Sequence, residues 1–183
     1  LRDEPLAIEL HNTAYADAGV PVDGLATTAS AAAWLTAIGT RLPLDDYPAG
    51  ALPSRDELVE LRSAVRAVLR AVADGERPDA GSLDAINRAS SGAPWSPMVR
   101  TDVSGELVQR SSFHGATRAD VVLAAFARDA IELVSGPRRH GLRACGAPGC
   151  VLLFLKDHPR RAWCCNACGN RARQARHYQR VRG

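Results

Sequence analysis

Residues 143–183 read RACGAPGCVLLFLKDHPRRAWCCNACGNRARQARHYQRVRG and decide how the chain is interpreted, because all five of its cysteines lie there. Cys145 and Cys150 form one close pair, and Cys164 and Cys168 form another after an apolar and basic insert. Two short-spaced cysteine pairs separated by a loop are the layout of a tetrahedral zinc site. Four thiolates leave no open coordination position, so the sequence predicts one structural zinc ion rather than a catalytic one.

Spacing alone leaves one zinc ligand open. Cys165 stands next to Cys164, and Cys165 with Cys168 would make as good a chelate as Cys164 with Cys168. His158 is a further candidate, although Pro159 restricts the backbone beside it. Unliganded thiols are disfavoured, because four thiolates so close in sequence would repel one another unless a cation held them or they stayed protonated.

The charges of the chain are divided between two parts. Residues 1–135 carry 12 Lys and Arg against 19 Asp and Glu, a net charge of −7. Residues 136–183 carry 11 against one, a net charge of +10. A basic module on an acidic body is typical of a nucleic-acid-binding appendage. A merely solubilising surface would normally mix both signs.

A basic helix is predicted to end the chain, because no helix breaker stands between Gly169 and Gly183. Guanidinium groups can bind phosphates or pair bidentately with guanine. The predicted nucleic-acid contacts are Arg171, Arg173, Arg176 and Arg180 on this helix, with Arg160 and Arg161 in the insert before it. If about five phosphates are neutralised, log affinity should fall against log salt with a slope of about −4.5.

This C-terminal stretch resembles the CGNR zinc finger family, named for a tetrapeptide that is intact here at residues 168–171. The other matching positions are Cys145, Cys150, Phe154, Asp157, Trp163 and Cys164. The resemblance implies that Cys145, Cys150, Cys164 and Cys168 bind zinc. Ala162 departs from the pattern, since the family commonly has a basic residue there, which weakens this part of the insert as a phosphate contact.

The N-terminal part is similar, more loosely, to the ABATE domain that usually precedes this finger. The matching segments are residues 6–13, 25–27 and 33–35. The resemblance implies a bacterial, stress-induced transcription regulator that binds DNA. The five clustered cysteines argue for metal rather than disulfides, so the protein is expected to be cytoplasmic. With the Gly-, Pro- and Arg-rich joint at residues 136–141, the resemblance predicts an ABATE-like domain over residues 1–137 and a CGNR-type finger over residues 138–183.

The predicted fold is mainly α, with one small β-hairpin in the helical N-terminal domain and a treble-clef-like zinc finger that ends in a basic helix. Apolar periodicity and capping residues predict helices over residues 6–13, 31–38, 54–74, 79–91 and 117–135. Residues 98–101 and 106–110 are predicted to form the hairpin, and residues 14–27 and 40–53 are predicted to be irregular. In the longest helix, Arg62 and Arg66 are expected to face away from the core.

The sequence contains no paired nucleophile and base, so an enzyme is not expected. A pocket for a small-molecule effector is predicted at Trp34, Trp95, Arg100 and His114, and a homodimer is a further possibility. No apolar run approaches the roughly 20 residues that span a bilayer, and no signal segment opens the chain. Polar residues such as Glu9 and His11 are expected to be structural.

A second interpretation stays open from the sequence. The zinc would then staple a ligand-binding or protein-interaction module without DNA binding, and the basic helix would pack on the acidic body or on a partner protein. Burial of Arg173 and Arg176 against carboxylates of the body would favour this alternative. The sequence specifies neither a cognate DNA site nor an effector, and it does not distinguish DNA from RNA.

Overall fold

The computed structural model describes residues 4–17, 19–42 and 49–182, except for the side chains of residues 17, 181 and 182. The predicted irregular segment 40–53 therefore lies partly outside the described residues. Within them the helices are α1 Leu6–His11, α2 Thr28–Ile38, α3 Arg55–Asp74, α4 Ala80–Ser91, α5 Arg118–Ser135 and α6 Asn166–Arg182. The strands are β1 Ala14–Asp17, β2 Val20–Asp23, β3 Ser96–Thr101, β4 Leu107–Ser112, β5 Leu142–Ala144 and β6 Leu153–Leu155.

The fold is mainly helical, as predicted, and its core lies where α1, α3, α4 and α5 pack together. Ile8, Leu69 and Phe126 are fully buried there. Trp34 of α2 stacks on Phe126, with ring centroids 5.5 Å apart. Burying large apolar side chains of this kind is the main driving force for folding.

Capping residues set the helix boundaries. Ser54 and Glu57 form a reciprocal capping box at the start of α3, and Gly75 ends that helix with φ +76°. α2 begins three residues earlier than predicted, because the capping box there is formed by Thr27 and Ser30. The predicted start of α5 is confirmed by the cap at Thr117.

The prediction that residues 14–27 are a loop was wrong, because β1 and β2 form a second antiparallel hairpin within them. Gly19 has φ +86° and supplies the tight turn that a hairpin requires. Arg62 was expected to face away from the core, yet it is 6% exposed and forms a salt bridge with Asp23 at the end of β2. The hairpin is therefore fixed by a partner 39 residues away in sequence.

The C-terminal hairpin of β5 and β6 packs into the core of the helical body. Leu142 and Leu153 belong to the same buried cluster as the side chains of α3 and α5. Between the two parts lies a short 3-10 helix, Pro137–Gly141. No helix among the described residues is long and apolar enough to cross a membrane.

Candidate metal centre and nucleic-acid interface

The first cysteine pair lies in the turn between β5 and β6. Cys145 follows β5 directly, and its backbone N–H donates to Leu152 at 2.9 Å. The N–H of Cys150 donates to Ala147 at 3.0 Å, which closes the turn. Gly149 has φ +71°, a left-handed conformation that glycine adopts without strain. This turn holds both sulfur atoms on one side of the hairpin.

The second pair comes from the start of α6. Cys164 stands two residues before the helix, and Cys168 lies in its first turn. A zinc knuckle between two strands, facing the start of a helix, is the arrangement predicted as treble-clef-like. Phe154 and Ala172 pack around these cysteines in a small apolar cluster of their own.

Gly169 allows Trp163 to approach the helix. A Cβ atom at Gly169 would lie 2.9 Å from Cδ1 of Trp163, closer than real Cβ atoms come. Gly169 is inside α6, so its role is close packing of the indole ring rather than a tight turn. The other end of the same ring lies near Gly146, so Trp163 links the two halves of the zinc site.

The four sulfur atoms fit a single zinc ion. The Sγ atoms of Cys145, Cys150, Cys164 and Cys168 all lie within 4.8 Å of one another. Tetrahedral zinc with Zn–S bonds of about 2.3 Å places its sulfur atoms about 3.8 Å apart. The Sγ atoms of Cys150 and Cys164 are 3.8 Å apart, and those of Cys164 and Cys168 are 3.4 Å apart. The site holds one structural zinc ion.

The positions of the sulfur atoms favour Cys164 over Cys165 as the zinc ligand. Cys165 is exposed and lies outside the group of four, although its Sγ is 3.9 Å from that of Cys164. His158 is also outside the group, and its Nδ1 accepts a hydrogen bond from the N–H of Arg160. The group of four close cysteines is therefore the set that the family resemblance implied as ligands, and their assignment as zinc ligands stays a prediction.

Metal binding at this site is linked to loss of protons from the thiols. Burial and the neighbouring thiols raise the pKa of Cys164 far above its usual range, and burial raises the pKa of Cys168 to about 12. Without metal, these thiols stay protonated at neutral pH. Zinc binding must displace their protons, so the free energy of zinc binding contributes directly to folding of this module.

Arg171 was predicted to contact DNA, and the structure directs it to the zinc site. It is only partly exposed, and its NH2 group donates a hydrogen bond to Sγ of Cys168 at 3.1 Å. Such a bond offsets the negative charge of a zinc-bound thiolate and orients the ligand. Its neighbour Asn170 is exposed and accepts a hydrogen bond from Arg173.

Arg161 was also predicted to contact DNA, but the structure directs its two terminal nitrogens to groups of the protein itself. Its side chain is 7% exposed and forms a salt bridge with Glu4 of the helical body. NH1 of Arg161 also donates to the carbonyl of Leu155 at 2.8 Å, and its guanidinium lies 4.9 Å from the ring centre of Phe154. Its terminal nitrogens are therefore used within the protein, where they join the finger to the body.

Four predicted contact residues remain on the surface, namely Arg160, Arg173, Arg176 and Arg180. Across residues 4–17, 19–42 and 49–182, none of these four forms an ion pair with a carboxylate. The three on α6 are spaced by three and four residues, so they share one helix face. Arg173, Arg176 and Arg180 line an open groove of about 640 Å³ together with Gln179.

The predicted effector pocket is only partly assembled. Trp34 stacks on Phe126 at the core, whereas Trp95 is 48% exposed just before β3. Arg100 is exposed on β3, and Nε2 of His114 is 2.8 Å from Oγ of Ser96. Three of the four residues therefore belong to the β3–β4 hairpin and its ends, and the pocket stays a prediction.

The connection between finger and body was not foreseen from the sequence. The side-chain amide of Asn12 donates to the carbonyl of Leu153 at 2.9 Å and accepts from its N–H at 3.0 Å. The carboxylate of Glu4 accepts from the N–H of Leu155 at 3.0 Å. The polar Asn12 directly after the short first helix was the available signal, but its partner is 141 residues away.

Buried ionisable groups surround this connection. Glu9 is paired with Arg41 at 3.0 Å, and burial raises the pKa of Glu9. Burial and the positive charge of Arg66 lower the pKa of His11 to about 3. Because Oδ1 of Asn12 accepts hydrogen bonds, the proton on the neutral His11 ring is at Nδ1, 3.0 Å away. These contacts place Glu9 and His11 beside the junction, and their structural role stays a prediction.

Comparison with known protein families agrees with this architecture. The CGNR zinc finger model matches residues 142–181. The ABATE model, described as "Putative stress-induced transcription regulator", matches residues 4–137. No curated protein matches the chain. One description names a transcription regulator and the other a zinc finger, and neither names an enzyme. The chain therefore belongs to the ABATE family and carries a CGNR zinc finger at its C-terminal end.

Proposed function

We propose that the protein is a DNA-binding transcription regulator whose zinc finger binds DNA through the exposed basic face of α6. The observation that carries the proposal is the row formed by Arg173, Arg176 and Arg180, which is exposed and has no carboxylate partner within the described residues. Cationic side chains left unpaired on one helix face are suited to the phosphates of a nucleic acid.

The zinc site supports this proposal by holding the helix in place. Cys168 and the close contact between Gly169 and Trp163 fix the first turn of α6. The hairpin of β5 and β6 is fixed in turn to the body through Asn12 and Glu4. A helix anchored at its amino end can present its arginines in a defined direction.

The alternative of an interaction module is less well supported. Burial of Arg173 and Arg176 against carboxylates of the acidic body would have favoured it, and both are exposed. The contact between finger and body is made by Arg161 instead. Effector sensing at the predicted pocket and homodimer formation remain predictions for the body.

A cytoplasmic location suits this proposal. Thiolate zinc sites need reduced cysteines, which the cytoplasm maintains. A bacterial regulator would also meet its DNA there. The family description supports regulation, and the charge of the finger supports nucleic acid as the partner.

Fluorescence anisotropy with a labelled mixed-sequence duplex at low salt tests the proposal. The zinc-loaded protein would be compared with a variant in which Arg173, Arg176 and Arg180 are changed to Gln. A matched control changes three exposed arginines of the body, Arg77, Arg88 and Arg100, to Gln. We expect the α6 variant to bind at least about tenfold more weakly and the control to bind like the wild type. Equal loss in both variants, or no binding by the wild type, would contradict the proposal.

A further inference from the structure

We propose that a cavity at the start of α6 binds a phosphate group of a DNA strand and thereby sets the position of the finger on the duplex. This inference rests on the proposed function. The cavity has a volume of about 380 Å³ and lies between the insert and the first turn of the helix. Its walls include His158, Arg160, Arg161, Trp163, Asn166 and Arg173, and none of the four zinc ligands.

The charges around the cavity favour an anion. Arg160 and Arg173 stand in its wall, are exposed, and have no carboxylate partner among the residues described. Asp157 is the acidic residue in the wall, and it lies 3.5 Å from NH1 of Arg161. The negative charge of Asp157 is therefore shared with a buried guanidinium, and the outer arginines are left for a ligand.

Hydrogen-bond donors also converge here. Since Nδ1 of His158 accepts from the backbone N–H of Arg160, the proton on a neutral His158 ring is at Nε2. The side chain of Arg161 is only 7% exposed, and its Nε is buried without a hydrogen-bond partner among the described residues. Although Nε itself has no exposed surface, the guanidinium of Arg161 adds positive charge beside the cavity.

The start of α6 adds to the positive electrostatic potential of the cavity. Asn166 begins the helix at the cavity wall, and the first turn contains no acidic residue. The amino end of a helix carries a partial positive charge that favours anions. With the arginines, this end of the helix completes a positively charged recess.

The cavity joins the groove on α6 through Arg173, which lines both. Arg173 and Arg180 are about 10 Å apart along the helix axis. Arginines spaced in this way are suited to neighbouring phosphates of one strand. A phosphate held in the cavity would therefore lie at one end of a track of phosphate contacts. Contacts of this kind position a protein on DNA without reading its sequence.

The test introduces a negative charge into the cavity without touching its arginines. Ala162 is an exposed residue of the wall, and Ala162→Glu places a carboxylate there. Gln174→Glu is the matched control, because Gln174 is exposed on α6 and lines neither the cavity nor the groove. Both changes alter the net charge by the same amount. We expect Ala162→Glu to weaken binding of duplex DNA at least about tenfold, and Gln174→Glu to weaken it by no more than about threefold.

A second measurement locates the ligand directly. The indole N–H of Trp163 gives an NMR signal that a Trp163→Phe variant assigns, and Trp34 and Trp95 provide internal references. We expect the Trp163 signal to shift and saturate with duplex DNA while the two reference signals stay in place. If the wild type binds DNA but the Trp163 signal stays fixed and Ala162→Glu binds normally, the cavity proposal is overturned and the proposed function stands.

Inorganic phosphate separates the two possible sources of the anion. If the wild type fails to bind DNA, the proposed function fails as well. In that case a shift of the Trp163 signal with inorganic phosphate alone would show a free-anion site and overturn the DNA-strand proposal. Saturation by DNA at far lower concentration than by inorganic phosphate would support it.

Discussion

The side-chain amide of Asn12 exchanges two hydrogen bonds with the backbone of Leu153, at 2.9 and 3.0 Å, and so acts as a short strand beside β6. Asn12 belongs to the helical body, whereas Leu153 lies between the two cysteine pairs of the finger. Leu153 also packs into the core of the body. The finger is therefore built onto the body rather than attached by a free linker.

Changing Asn12 to Ala should destabilise the whole protein. The change leaves the buried N–H and carbonyl of Leu153 and Nδ1 of His11 without their partner, at a cost of about 2–4 kcal/mol. Urea unfolding of the zinc-loaded protein measures this cost. As a control, Asn87→Ala on the exposed face of α4 should change stability by less than about 0.5 kcal/mol. A similarly small effect at Asn12 would show that the junction is not structural.

Zinc content should distinguish the two adjacent cysteines. Cys164→Ser removes a ligand of the four-sulfur site and should lower zinc content well below one per chain. Cys165→Ser should keep one zinc per chain, because Cys165 is exposed and outside the group. Metal analysis of the purified variants, before and after a chelator, measures the difference. The opposite result would assign the ligand to Cys165.

Gly169→Ala should destabilise the finger although alanine favours helix more than glycine does. The new Cβ would lie 2.9 Å from Cδ1 of Trp163 inside a packed site, and overpacking costs about 1–3 kcal/mol. The higher helix propensity of alanine would offset about 1 kcal/mol of this cost at most. Thermal unfolding with the double variant Gly169→Ala and Trp163→Leu tests the cause. If the clash is responsible, alanine at residue 169 should cost less when residue 163 is Leu.

Stability should fall as the pH drops below about 6.5, partly because of His11. Its pKa is lowered to about 3 in the folded protein from 6.5, so the unfolded chain takes up a proton between these values and the folded protein does not. The contribution of His11 to the free energy of unfolding is complete above pH 6.5. Below that pH it falls by about 1.4 kcal/mol per pH unit. Between pH 6.5 and 5 the loss is about 2 kcal/mol.

The variant His11→Asn isolates this contribution. Its amide can replace Nδ1 as the donor to Asn12 but does not titrate. Urea unfolding from pH 7 to pH 5 should therefore show a flatter pH dependence of the free energy of unfolding in the variant. The difference in slope should correspond to about one proton fewer taken up on unfolding. Protonation of the zinc ligands affects both proteins alike. An identical pH dependence in the two proteins would show that His11 titrates normally.

Local signals in the sequence predicted much of this structure. The sequence predicted α3 and α5 from the capping boxes at Ser54 and Thr117 and from the spacing of apolar residues. Both signals involve residues three or four positions apart. The cysteine spacing predicted the zinc site for a similar reason. The choice between Cys164 and Cys165 needed the resemblance, since both spacings suit a chelate.

Features that depend on distant partners were missed. Glycine and proline in residues 14–27 indicated a loop, and the partner that holds this hairpin in place is Arg62 of α3. Arg160 and Arg161 are neighbours in sequence, yet one is exposed and the other is buried against Glu4. A run of basic residues cannot show which arginine meets a carboxylate of another element, because that depends on the tertiary fold.

The salt dependence of DNA binding tests the central claim most directly. Four exposed arginines without ion pairs among the described residues, Arg160, Arg173, Arg176 and Arg180, should give a slope of log affinity against log salt of about −3.6. This is shallower than the value of about −4.5 expected from the sequence, because Arg161 and Arg171 are engaged within the protein.

Anisotropy titrations of the zinc-loaded protein across a salt series would give this slope. In the variant with Arg173, Arg176 and Arg180 changed to Gln, the slope should flatten to about −0.9, and in the control variant of Arg77, Arg88 and Arg100 it should stay as in the wild type. A slope that is the same in all three proteins, or weak binding without salt dependence, would show that the basic face of α6 does not bind DNA.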